Sequence, residues 1–445
     1  MSDGLLVTGG TVLTVNERNE VIEDGAVFIE RGRIADLGEA AALNERYPNA
    51  ERLDAAGQAV LPGLVNLHLH SGLIRGTAED LPVFEWLAKY VDPKHRALTE
   101  ELAYAAARLS YAEGILSGTT CVMDMYRFMH RCAEAADQLG LRATLAPYVV
   151  DKPGMDYFES LEKNERLVRE FSGAAGGRIQ VWFALEHLTY CTEGAYRQAA
   201  ALAEKYGTGI HTHGEESREM AARLHQETGR WPVELFCDRG ILGPKTVLAH
   251  CVWLQPEEME LLAKTGTSVA HCPVSNLKLA SGIAPIKELL DLGVNVGIGT
   301  DGVKENNNLD MLEELKFVPL LQKARLLDAT AIPAETALRM ATIDGAKALG
   351  LDEEIGSLEI GKKADLIVVD FRKHHLTPIM RGKYSNAVSN LVYAASGSDV
   401  SHVFVEGHPL MKDRKLLTAD AEQIRLEAQD AAEKLFALRE PFIPA

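Results

Sequence analysis

The sequence predicts an α/β chain, a (β/α)8 TIM barrel carrying a small β-sandwich domain that the two ends of the chain build together. Between residues 63 and 356, eight short apolar runs alternate with helix-length segments. Repeated βα units build parallel sheets, and eight of them match a barrel of about 250 residues. The first run ends in His-Leu-His, where a doubly wound sheet would carry a Gly-rich phosphate loop. Residues 1–62 and 357–445 have another texture, short alternating runs between Gly-containing turns, which reads as strands and hairpins.

The elements follow in order. LLVTGGTVLTV, GAVFIERGRIADLG and AERLDAAGQAVLPG supply the first strands, with one short helical stretch near AALNERY. The barrel strands fall at LVNLHLH, TTCVMDM, RATLAPYV, IQVWFAL, GIHTHG, TVLAHCV, SVAHCP and NVGIGTD. ELAYAAARLSYAEGILSG, GAYRQAAALAEKYG and PEEMELLAKTG between them read as helices that stop near Gly. GSLEIGKKADLIVVDF, SDVSHVFVEGHPLMKD and RKLLTAD return to the strand pattern. The last stretch, AEQIRLEAQDAAEKLFALRE, is expected as a helix with an apolar stripe of Ile424, Leu426, Ala428, Ala431, Leu435 and Leu438.

Composition excludes several classes of function. With 46 basic against 64 acidic residues the net charge is −18, which repels phosphate, so neither nucleic acid nor an anionic membrane surface is an expected partner. No apolar run approaches the roughly 20 residues that span a bilayer, and the N-terminus lacks a basic, then apolar leader pattern. Six cysteines are scattered without a CxxC pair, which suggests reduced thiols and a cytoplasmic location.

The histidines concentrate the chemistry. His68 and His70 sit two apart on a strand and so face the same side. His187, His211, His213, His250, His271 and Asp301 fall at the ends of later strands. Strand C-termini of a barrel converge on one mouth, where active sites lie. Imidazole and carboxylate converging there is the donor set of a borderline divalent metal such as Zn²⁺, with iron or manganese also compatible. His374, His375, His402 and His408, in the C-terminal segment, are expected at the surface.

HLH, HTHGEE, AHCVWL, AHCPVSNLKLASGIAPI and GTDGVKENNNLDM, together with LPGLVNLHLH, EDLPVFEWL, SGTTCVMDMY and MATIDGAKALGLDEEIGSLEIGKKADLIVVD, resemble the amidohydrolase superfamily. Within it they look most like methylthioadenosine/S-adenosylhomocysteine deaminases and triazine hydrolases, over essentially the whole chain. The resemblance implies one divalent metal, zinc foremost, held by His68, His70, His213 and Asp301. It implies Asp301 as general base toward the activated water, Glu216 as proton carrier to a ring nitrogen and the leaving ammonia, and His250 orienting the attack. His187 and, as a ring-stacking wall, Trp86 are implied substrate contacts, while His211 and His271 are not expected on the metal. IQVWFAL lacks the lysine that bridges a second metal in some members, though Glu186 just beyond it is a carboxylate that could bridge one.

Two departures from the resemblance bear on substrate. Where those deaminases carry an acid for the ribose hydroxyls, this chain reads Pro93-Lys94-His95, and no arginine stands near Pro147-Tyr148 to pair a substrate carboxylate. The expected activity is therefore hydrolytic deamination of an amino-substituted N-heterocycle that is purine-, pterin-, pyrimidine- or triazine-like. Opening of a cyclic amide, displacement of halide and deamination of methylthioadenosine or S-adenosylhomocysteine are the alternatives. A non-catalytic binding protein is the least expected, because every metal and acid–base position is intact. The expected partner is a small heterocycle, and the resemblance implies a homo-oligomer.

Overall fold

The computed structural model describes residues 4–77, 79–81 and 83–444, so Pro82 of the EDLPVFEWL motif lies outside the described residues. The chain divides into two compact units. One holds the residues up to Asn66 with Glu113–Cys121 and Asp310–Thr418; the other holds Leu67–Ala112, Val122–Leu309 and the residues from Ala419 onward.

The first unit is built on one mixed nine-stranded sheet. Its strands are β1 (Leu5–Leu13), β2 (Val21–Glu30), β3 (Arg33–Glu39), β4 (Glu51–Asp54) and β5 (Gln58–Pro62) from the N-terminal side. The C-terminal side adds β15 (Leu366–Asp370), β16 (Val400–Val405), β17 (His408–Lys412) and β18 (Lys415–Leu416). The order is β18-β17-β16-β15-β5-β1-β2-β3, with β4 beside β1. Antiparallel pairing of β5 with β15, Leu61 opposite Ile367, joins the two ends of the chain. Val7, Val27, Ile34, Val60, Val368 and Phe404 form one buried cluster. At the β3 edge the Ile34 N–H donates to Lys362 O at 2.9 Å and the Gly361 N–H to Ile34 O at 2.8 Å, so the sheet curls round this core. His402 lies inside β16 and is buried, contrary to the surface position expected of it, because both faces of this strand are covered, with every residue from His402 to Val405 buried. His374, His375 and His408 are exposed.

The eight expected inner strands all form. They are β6 (Leu64–Leu69), β7 (Thr119–Tyr126), β8 (Arg142–Pro147), β9 (Ile179–Val181) with β10 (Phe183–Leu185), β11 (Ile210–Gly214), β12 (Thr246–His250), β13 (Ser268–His271) and β14 (Val296–Ile298). They lie in two arcs, β6-β7-β8-β9 and β10-β11-β12-β13-β14. The second arc is parallel throughout. IQVWFAL is one run broken at Trp182, whose N–H donates to Leu145 O at 2.9 Å while β10 turns to pair with β11. At the other edge the Asp301 N–H donates to His68 O at 2.9 Å. Helices Glu100–Leu116, Glu193–Tyr206 and Pro256–Thr265 stand where the apolar periodicity places them.

The terminal helix Ala421–Arg439 buries Ile424, Ala428, Ala431 and Leu435, but Leu426 and Leu438 are 47% and 48% exposed. Its stripe is narrower than expected because only the 3.6-residue row through Ile424, Ala428, Ala431 and Leu435 meets a neighbour. Among the described residues no disulfide joins the six cysteines, and five of them are buried. Among the described residues no helix is long and apolar enough to cross a membrane.

Candidate metal centre

The candidate centre gathers at the C-terminal ends of β6, β11, β12 and β14. His68 Nε2 and His70 Nε2 stand 3.6 and 3.4 Å from Asp301 Oδ1, and His70 Nε2 lies 3.2 Å from His213 Nε2. The ligand atoms of His68, His70 and Asp301 lie within 4.8 Å of one another, as do those of His68, His213 and His250. All five side chains are buried.

Backbone shape delivers these groups. Asp301 and His250 have φ of +60° and +70°, in the left-handed region that a branched or long side chain enters only under constraint. The GTDG segment can run against β6 because glycine flanks the aspartate. A Cβ on Gly299 would fall 2.8 Å from the His68 nitrogen, and one on Gly302 would fall 2.5 Å from Glu305 Oε2 and 3.0 Å from His70 O.

Hydrogen bonds fix which ring nitrogen faces inward. His70 Nδ1 lies 2.6 Å from Met125 O and His213 Nδ1 2.5 Å from Glu186 O. A carbonyl can only accept, so each Nδ1 carries the proton and each Nε2 lone pair points to the centre. His211 performs the same service at one remove. Its Nδ1 donates to Val247 O at 3.0 Å, which leaves Nε2 to accept from His68 Nδ1 at 2.8 Å and frees the His68 Nε2 lone pair. Burial pushes His211 down to about 3 and His213 down to about 4, so both are neutral at pH 7. Burial likewise holds His68 and His70 well below the usual histidine value. Asp301 is different. Burial pushes its carboxyl up, but His70, His250 and Lys304 outweigh this with the Ser275 hydroxyl, 2.7 Å from Oδ2, and it settles at about 2. Three neutral imidazoles and one carboxylate are the donor set that a borderline divalent cation takes.

Two further groups border the centre. His250 Nδ1 lies 3.0 Å from Asn276 Oδ1, and its Nε2 lies 3.9 Å from both Glu216 Oε2 and Asp301 Oδ2. Glu216 follows β11 and precedes the helix Arg218–Thr228, whose N-cap is Ser217, so its carboxylate stands outside the first turn rather than capping it. Ser281 Oγ donates to Glu216 Oε1 at 3.3 Å.

The structure opens one pocket onto these residues. His187, Trp86, Glu186, Tyr148 and Lys304 line it along with them. His187 Nδ1 accepts from the Thr189 N–H at 3.2 Å, which leaves Nε2–H as a donor. The Trp86 ring lies 5.1 Å beneath the Lys304 ammonium. His271 is buried but does not line the pocket. Sequence reading missed Lys304, which lies in the VKENNN run after GTDG, and the supporting roles of Ser275, Asn276 and Tyr148. The only available signal for the first was a lysine three residues beyond a candidate metal ligand.

Residues 59–410 match the model of the amidohydrolase family, and residues 25–50 match a bacterial imidazolonepropionase-like composite domain. The chain belongs to the amidohydrolase family. It is 40% identical to 5'-deoxyadenosine deaminase of Methanosarcina mazei, over 97% of this chain and 98% of that one. It is 42% identical to 5-methylthioadenosine/S-adenosylhomocysteine deaminase of Syntrophobacter fumaroxidans, over 94% of this chain and 95% of that one. Among solved structures, a zinc-bound adenosine deaminase from Xanthomonas campestris superposes with a TM-score of 0.92 at 32% identity, covering 98% of this chain and 99% of its own. The fold is accordingly a TIM-barrel-like α/β body with an additional domain.

Proposed function

We propose that the protein is a metal-dependent aminohydrolase that replaces the amino group of an N-heterocycle with hydroxyl and releases ammonia. The observation that carries this reading is the grouping of His68 with His70, His213, His250 and Asp301, the last four of which line one pocket with Glu216. The deaminase names of relatives at 40% and 42% identity support it.

The four donors would hold one divalent cation, zinc foremost, with Glu186 outside both candidate ligand groups. When bound, the cation lowers the pKa of water from 15.7 toward roughly 7. Asp301 Oδ2 is placed to take a proton from the attacking water, with Ser275 holding the carboxylate in orientation. His250 Nε2 faces the same point and orients the attack. Glu216 Oε2, 3.9 Å from that nitrogen, gives a ring nitrogen the first proton of the attacking water as the carbon becomes tetrahedral, then carries the second, taken up by Asp301, to the leaving ammonia. His187 Nε2–H and the face of Trp86 position the ring.

The ring is purine-like on the strength of the relatives' adenine nucleosides, and a 5'-modified adenosine is the second reading they favour. We also take the two arcs as halves of one closed (β/α)8 barrel. The edge hydrogen bond from the Asp301 N–H to His68 O, and the continuity of IQVWFAL, which pairs with β8 through Val181 and with β11 through Phe183, support closure. The curled sheet supports a sandwich-like accessory domain made from residues 1–62 and 357–445, which flank a barrel of 63–356 in the sequence. Ammonia release from 5'-deoxyadenosine, adenosine, adenine, pterin and a triazine, with and without a chelator, tests the activity. Release abolished by chelation is expected. A metallated protein that frees ammonia from none of them but opens a cyclic amide would overturn the reading.

A further inference from the structure

Asp124 is a buried carboxylate that the proposed reaction does not use. It stands near the C-terminal end of β7 and is shut off from solvent, as are Ser71 and Tyr111 around it. The Ser71 N–H donates to its Oδ1 at 3.0 Å, and the Ser71 and Tyr111 hydroxyls donate to its Oδ2 at 2.6 and 2.7 Å. Tyr111 comes from the helix Glu100–Leu116, and its neighbour Ser110 accepts from the Gly72 N–H at 3.3 Å. A carboxylate taken out of water is costly unless donors surround it, and this one is surrounded.

The stretch these bonds hold begins at a metal-side histidine. β6 ends at Leu69, so His70, Ser71 and Gly72 lie past the strand. The residue after Asp124, Met125, accepts from His70 Nδ1 at 2.6 Å. Two successive residues of β7 thus grip two successive residues past β6. Met125 holds the imidazole through a carbonyl, and Asp124 holds the following amide and hydroxyl through a carboxylate. The far side of the stretch meets the segment that carries Asp301. A Cβ on Gly72 would fall 3.1 Å from Val303 Cγ2, and the Asp301 N–H donates to His68 O. Movement of Ser71 would therefore turn His70 and press on the Asp301 segment.

We propose that Asp124 is a positioning residue that locks His70, through Ser71, in the place where its Nε2 can take the metal. The inference rests on the metal centre of the proposed function. Zinc affinity, measured by competition with a chelator, tests it alongside the melting temperature of the metal-free protein. Asp124→Asn keeps the shape but turns one acceptor oxygen into a donor facing the Ser71 and Tyr111 hydroxyls. Zinc should then bind at least about tenfold more weakly. Ser71→Ala loses the hydroxyl bond and keeps the N–H bond, so at least an approximately threefold loss is expected. Tyr111→Phe keeps both Ser71 bonds, so its melting temperature should fall while zinc affinity stays within about threefold of wild type. A carboxylate that serves only the fold would lower the melting temperature in Asp124→Asn and leave zinc affinity within tenfold of wild type, and that result overturns the proposal. Tyr111→Phe losing as much affinity as Asp124→Asn overturns it too. If Asp124→Asn does not fold, Ser71→Ala decides, and a loss below about threefold overturns the proposal. Wild-type protein that binds no zinc would overturn it together with the metal centre, whereas variants that bind zinc as tightly as a zinc-binding wild type overturn this inference alone.

Discussion

The two sides of the pocket differ in how their polar groups are satisfied. On the metal side, His70, His211, His213 and His250 each spend one ring nitrogen on a carbonyl or amide oxygen, and Asp301 accepts from Ser275 and the Gly302 N–H. On the facing wall, one oxygen of Glu186 and the Trp86 nitrogen are buried without a partner among the described residues, whereas on the metal side Asn276 Nδ2, behind His250, is the comparable atom. A side that is internally satisfied is preorganised for one task whatever enters. A side with open donors and acceptors is completed only by a particular ligand, and it rejects analogues that leave those groups unpaired. The metal side therefore carries the reaction class and the facing wall the substrate.

Substitutions should separate the two sides. The largest effect is expected for Asp301→Asn, which keeps the shape but removes the proposed metal ligand and proton acceptor. A fall in kcat of about 10³-fold or more is expected, and full activity in steady-state assays would break the assignment. Glu216→Gln should lower kcat by roughly 10²-fold or more while zinc content stays at the wild-type level. His211→Phe breaks the relay to His68 without touching a ligand. Zinc affinity should drop by about 10- to 100-fold, seen as a lower chelator concentration for half-inactivation, with kcat recovering at saturating zinc.

The smallest expected effect concerns stability. His271 is fully buried, its two nitrogens have no partner among the described residues, and burial pushes it down to about 3. Unfolded, it would titrate near 6.5. Between about pH 6.5 and 3 the unfolded chain then binds the extra proton, so the contribution of this group falls as pH drops through that window, by up to about 1.4 kcal/mol per pH unit. His271→Gln should flatten the drop in melting temperature between pH 7 and pH 5 relative to wild type. An unchanged slope would show that the residue is not buried neutral.

The same contrast explains what could be read from the sequence. Strands and metal-side histidines were legible because a period of two and a strand end fix where a side chain points. HLH and HTH therefore stated their own geometry. The relay through His211 was not legible, since it depends on which carbonyl lies across β11 and β12, a matter of register rather than spacing. Lys304 was not legible as a pocket residue because, read alone, it looks like a surface lysine. His402 failed for a related reason, because the curl of a sheet, and so which strand face is buried, is set by partners far away. Leu426 and Leu438 show the limit of helical periodicity, which marks an apolar face without saying how wide its neighbour is.

Metal content per chain, measured together with activity on the same zinc-reconstituted sample, decides whether the four donors hold one catalytic metal. One zinc per chain is expected, with activity proportional to it, and a loss of stoichiometric zinc in His213→Ala and Asp301→Ala. A ratio of two metals per chain, or activity that persists after complete removal of metal, would contradict it.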